Sequence, residues 1–240
     1  MDCENGTDIK DFVLLDFSTK PRDRTLFFLF LLLMYSAGLL GNVIMFLLIT
    51  LNARFQTPMY FLLHSLSVID VGFISLTMPW MLVCLITNSR TIPFYFCMAQ
   101  FFFLSVFGVT DLLLVSVMAL DRYVAICNPL HYVSVMNKKI CGNLVAGCCI
   151  VSILHSMLHA GLLLRLSYRG KNHLAHYFCD HQPLLQLSCS DTSVNEAVNF
   201  FEGGIITFGP LVFIILTYIR IVATISAGSE CGRTASGIKK

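Results

Sequence analysis

Charged residues along this chain fall in clusters separated by long apolar runs, and the runs predict the architecture. No charged residue lies between Arg24 and Arg54; Asp70 is alone between Arg54 and Arg90, and Asp111 alone between Arg90 and Asp121. Lys139 and Arg165 bracket a fourth run without formal charge, and a fifth extends from Asn199 to Ile225, with Glu202 near one end and Arg220 near the other. Each exceeds the ~20 residues that a helix rising 1.5 Å per residue needs to cross ~30 Å of hydrocarbon. Membrane-spanning helices are therefore expected at residues 26–51, 59–87, 94–123, 140–164 and 199–225. Interior Gly and Pro do not argue against helix, because lipid offers the backbone no competing hydrogen-bond partner. Segments of about ten residues alternating polar and apolar are missing, which argues against a β-barrel. The expected fold is all-α, a polytopic membrane helix bundle over residues 26–225, preceded by residues 1–25 and followed by a small, polar tail, 226–240.

Composition agrees: 56% of the residues are hydrophobic and 12% charged, against about 25% charged in a soluble domain. The net charge of +2 is too small and too scattered for a nucleic-acid-binding face. The first 24 residues carry six acids and no basic start before an apolar core, so no cleaved signal peptide is expected and the first span serves as the anchor. Lys and Arg divide eight and eight between the two sides, and the positive-inside rule decides nothing. Two other signals put the N-terminus outside. Asn5-Gly6-Thr7 is a glycosylation sequon, used only in the lumen or outside. The same orientation also collects Cys97, Cys179 and Cys189 on the oxidising face. Cys84, Cys127, Cys141, Cys148 and Cys149 lie in or beside spans and read as small apolar packing residues. No nucleophile and base recur at catalytic spacing with a Gly-rich elbow, and an enzyme is not expected. His155 and His159, one turn apart in the fourth span, leave two readings open: metal ligands, or packing with interhelical hydrogen bonds.

The third span ends in Met118-Ala119-Leu120-Asp121-Arg122-Tyr123-Val124-Ala125-Ile126-Cys127, followed by Asn128-Pro129-Leu130-His131-Tyr132. This resembles the MAYDRYVAIC-x-PLHY signature of olfactory receptors, members of the rhodopsin-like G-protein-coupled class, with Leu120 where their Tyr usually stands. The resemblance extends to Gly41-Asn42 in the first span, Thr57-Pro58-Met59-Tyr60-Phe61-Leu62 and Leu66-Ser67-Val68-Ile69-Asp70 in the second, Tyr177-Phe178-Cys179-Asp180 and Leu187-Ser188-Cys189 in the following loop, and Thr217-Tyr218-Ile219-Arg220-Ile221 in the fifth. After Ile225 the family pattern is lost. The resemblance then implies five of the seven rhodopsin-like helices within these 240 residues, as a truncated product or as part of a longer chain.

The resemblance implies further that Asp121, Arg122 and Tyr123 couple to a stimulatory heterotrimeric G protein, with Tyr218 as the partner of Arg122. The alternative for Asp121 and Arg122 is a plain salt bridge at a helix end. In the family, activation is an outward movement of the sixth helix beside this arginine. Asp70 lies eleven residues from Met59 and Asp111 eleven from Arg122, which puts both about 16 Å above one membrane boundary. Two carboxylates at one depth need a cation, a shared proton or water; the resemblance suggests a sodium or proton site with Asn42 and Ser67 beside them, and two protonated, hydrogen-bonded acids are the alternative. Small volatile odorants are the expected ligands, held in an apolar cavity with a few polar handles, for which Leu104, Ser105, Gly108, Val109, Glu202, Gly203 and Ile206 are candidate walls. Cys97 is expected to pair with Cys179, with Cys189 as the competing partner. The family's further loop cysteine is replaced by Arg169, which leaves Cys189 as a free thiol or bonded to Cys3. His173, His176, Cys179 and His181 resemble a copper motif discussed for the family, but a disulfide at Cys179 would remove its thiolate. The implied location is the plasma membrane, with retention in the endoplasmic reticulum as the expectation for an incomplete bundle. The competing reading from another class is a small transporter or channel component using the midplane carboxylates.

Overall fold

The computed structural model describes residues 11–14, 21–55, 57–87, 91–168, 173–174 and 178–237. Asn5 and Cys3, like Arg169 and His176, fall outside them. Five helical segments are long and apolar enough to cross a membrane. They are α1 (Pro21–Leu51), α2 (Pro58–Thr87), α3 (Phe94–Cys127), α5 (Lys138–Leu164) and α8 (Gly204–Gly237), the last continuous with the short α7 (Ser193–Val198) through a π-helical turn, Asn199–Gly203. Two shorter helices, α4 (Tyr132–Val135) and α6 (His181–Gln186), lie in the connections. The charged residues Arg22, Asp23 and Arg24 form the first turn of α1, so the helix begins before the apolar run does. The backbone of α8 likewise remains helical to Gly237, past the end of the apolar spanning stretch at Ser226. Pro58 opens α2, where its missing N–H costs nothing. Asn137 caps α5 by accepting the Ile140 amide at 2.9 Å.

α3 occupies the centre and packs against α2, α5 and α8, while α1 packs on α2. The α2–α3 crossing is close: a Cβ on Gly72 would meet the Phe107 ring at 2.7 Å, so a larger residue there must push that ring aside. The distribution of side chains inverts that of a soluble bundle. Ser67, Thr110, Ser152, Ser156, His159 and Asp121 are buried, whereas Leu33, Leu40, Leu154, Phe208 and Leu216 are exposed. Lipid is as apolar as leucine, so nothing drives these residues inward, while polar groups must find partners within the protein. Ser67, Thr110, Ser152 and Thr217 each donate to the carbonyl four residues back.

A three-stranded sheet not foreseen from the sequence closes one end of the bundle. β1 (Asp11–Leu14) lies between β2 (Thr91–Pro93), to which it is antiparallel, and β3 (His173–Leu174), to which it is parallel. Phe12 from β1 is fully buried in a cluster with Ile92, Phe101, Tyr168, Leu174 and Leu184. At the heart of this cluster Cys97 and Cys179 form the expected disulfide, with Cα atoms 5.5 Å apart. Buried Gln100 braces it: its Nε2 donates to the Leu76 carbonyl at 3.1 Å and its Oε1 accepts the Cys179 amide at 3.3 Å. Cys189 is also disulfide-bonded, which removes the free-thiol alternative.

Candidate functional site

Beneath the sheet, α3, α5, α6, the π-helical turn and α8 line two adjoining, partly open cavities. The smaller, about 250 Å³, is lined by Phe101, Leu104, Ser105, His155, His159, Asp180, His181 and Asn199. The larger, about 630 Å³, is lined by Gly108, Val109, Leu112, His155, Asn199, Phe200, Gly203, Gly204, Ile206, Thr207 and Phe208. His155 and Asn199 belong to both. Six of the seven expected wall residues line these spaces: Leu104 and Ser105 the smaller one, Gly108, Val109, Gly203 and Ile206 the larger.

The seventh, Glu202, is turned toward α5. Its Oε1 lies 2.7 Å from His155 Nδ1 and its Oε2 2.8 Å from His159 Nε2. Glu202 stands in the π-helical turn, whose extra residue per turn rotates the chain relative to a regular helix, a distortion frequent at functional sites. Across the cavity His181 packs edge-on to His159, with ring centroids 5.2 Å apart. Burial, reinforced by His159, pushes the His181 imidazole down to about 4, so it is neutral at physiological pH. Both of its ring nitrogens are buried without a hydrogen-bond partner. His155 and His159 are thus joined across helices to the one carboxylate of Glu202. The loop copper motif loses Cys179 to the disulfide.

At the opposite end of α3, Asp121 is almost fully buried and accepts a hydrogen bond from the Tyr132 hydroxyl at 3.0 Å. Desolvation and that hydrogen bond push the Tyr132 phenol up to about 12. The plain Asp121–Arg122 salt bridge does not form among the described residues. The Arg122 guanidinium is exposed and touches Met59 Sδ, and no hydrogen bond joins it to Tyr218, which is also exposed. Tyr123 packs at the edge of a cluster formed by Leu62, Val124, Met136 and Cys141. The buried acid of the D-R-Y triplet is therefore held by the tyrosine of the P-L-H-Y segment.

These two sequence segments, brought together by the fold, belong to an ordered set of distinct motifs along the chain. A family profile described as "Olfactory receptor" matches residues 31–236. The chain belongs to the olfactory receptor family. Its members are receptors, not enzymes. The match runs beyond Ile225, where the motifs read from the sequence had ended. "Olfactory receptor 1B1" of Homo sapiens is 50% identical over 218 residues, covering 89% of this chain and 69% of that protein. "Olfactory receptor 1f45" of Rattus norvegicus is 43% identical over 225 residues, covering 94% of this chain and 72% of the relative. "Olfactory receptor 1C1" of Homo sapiens has the same identity and coverage.

In this olfactory receptor chain Asp70 on α2 and Asp111 on α3 are both half-buried. Asn42 and Ser67 use their donors within their own helices, toward the carbonyls of Gly38 at 3.1 Å and Leu63 at 3.0 Å. Sequence reasoning missed Gln100, Asn199 and the cavity position of His181. A polar residue in an apolar run was the available signal for Gln100; for the other two only the folded neighbourhood gives one.

Proposed function

We propose that this olfactory receptor chain binds small volatile odorants in the paired cavities and couples through Asp121, Arg122 and Tyr123 to a stimulatory heterotrimeric G protein. The disulfide-bearing end faces outside and the Asp121 end the cytosol, at the plasma membrane. The observation that carries the reading is the cavity itself: apolar walls from Leu104, Val109, Leu112 and Ile206 meet a few polar groups, at a size suited to a small molecule. Glu202, bonded to two imidazoles, offers the strongest polar handle at its edge. The test uses the purified chain in lipid nanodiscs and displacement of an environment-sensitive fluorophore by a panel of volatile compounds. Val109→Phe, which intrudes on the larger cavity, is expected to weaken binding at least about tenfold, equivalent to about 1.4 kcal/mol. Binding unchanged by this substitution, or no saturable binding by any compound, overturns the assignment.

Asp70 and Asp111, with the oxygens of Asn42 and Ser67, suit a sodium ion: a hard cation prefers oxygen ligands, and two like charges at one depth need neutralising. When bound, sodium offsets that repulsion and holds α1, α2 and α3 together. At ten times its Kd it is expected to raise stability by about 1.4 kcal/mol. Asp70→Asn removes one carboxylate and should abolish the sodium dependence of the thermal midpoint. A sodium response that persists in the variant, or none in the parent chain, contradicts the site.

A further inference from the structure

We propose that His155, His159 and Glu202 form a binding site for a divalent transition-metal ion of the zinc class, joining α5 to the π-helical turn at the cavity wall. The two histidines are four residues apart and therefore share one face of α5, with ring centroids 4.5 Å apart. Their nitrogens and the Glu202 carboxylate lie within 4.8 Å of one another. A tetrahedral ion with bonds of about 2.0–2.2 Å needs donor atoms about 3.3 Å apart. Widening contacts now at 2.7 and 2.8 Å by about half an ångström therefore admits the ion. It displaces the two N–H···O hydrogen bonds, and each imidazole carries its proton on the other nitrogen. Two imidazoles select zinc, copper or nickel over calcium and magnesium, which demand oxygen.

Burial adds to the affinity: the side chains of His155, His159 and Glu202 are 12%, 3% and 33% exposed, and apolar Phe101 and Leu104 line the same space. Glu202 cancels one of the two positive charges, and Asp180 lies at the same cavity to balance the other. An independent feature points to the same place. His181, packed against His159, has both ring nitrogens buried and unpartnered. Three protein ligands leave one tetrahedral position for water. That water donates to a His181 nitrogen and satisfies it.

The inference goes beyond odorant recognition and is tested without an odorant. The chelator-treated chain in nanodiscs is titrated with Zn2+ by calorimetry. One equivalent should bind, with Glu202→Gln and His159→Gln each weakening it at least about tenfold and His131→Gln leaving it unchanged. A second measurement needs no variant: Zn2+ should protect His155 and His159, and not the exposed His131, from diethyl pyrocarbonate, read by peptide mapping. No stoichiometric binding, full affinity in Glu202→Gln, or equal modification of His155 and His159 with and without zinc overturns the proposal.

Discussion

Replacing Cys97 by serine is expected to abolish accumulation of the folded chain, whereas Cys84→Ser should be nearly silent. The Cys97–Cys179 bridge closes a loop of sequence separation 82, and loop-closure entropy alone assigns such a bridge about 4–5 kcal/mol. That is a large part of the 5–15 kcal/mol by which domains are stable. The effect is not confined to the bond. Cys179 leads directly into Asp180 and His181, which line the smaller cavity, and its amide is held by Gln100. Losing the bridge frees that segment, opens the cluster containing Phe12, Ile92 and Leu184, and removes one cavity wall. Cys84 is a free, half-buried thiol, and serine in its place can bond to its own helix. Yield of monodisperse protein and non-reducing peptide mapping distinguish the two variants. Wild-type yield from Cys97→Ser would sink the argument, as would a mapped bond from Cys97 to Cys189.

Expressed by themselves, these 240 residues are expected to give no odorant-dependent rise in cyclic AMP. In the receptor class the cytosolic cleft opens by movement of a sixth helix beside the D-R-Y arginine, and the described residues supply five spans. The relatives compared are longer, the chain covering 69% of the human receptor that is half identical to it. Arg122 is exposed at its end of α3, and among the described residues no sixth spanning helix packs beside it. Asp70 and Asp111 are only half-buried, and an ionised Asp at a helix centre in lipid costs about 2.5–3.5 kcal/mol on the insertion scale. Retention in the endoplasmic reticulum should accompany the silence. The measurement is a cyclic AMP reporter in cells supplying the olfactory G protein, with surface staining alongside. An odorant response abolished by Arg122→Ala would overturn the expectation and mean that five helices suffice or that another chain completes the bundle.

The five spans were legible from charge spacing alone because lipid imposes one rule on every spanning segment: the backbone must satisfy its own hydrogen bonds over some twenty apolar residues. Family membership was legible for a different reason, since ordered short motifs such as Asp121-Arg122-Tyr123 and Pro129-Leu130-His131-Tyr132 need no coordinates. What those motifs do to each other was not. The bond from Tyr132 to Asp121 joins residues on two different helices, and only the turn between α3 and α4 brings them within reach. The sheet is a stronger case. Its strands have four, three and two residues, too short for alternation to register, and they come from three distant parts of the chain. Glu202 could be named as a cavity residue from its place near the end of an apolar run. Its union with His155 and His159 depended on the π-helical turn, a backbone register shift that leaves no periodic trace in the order of residues.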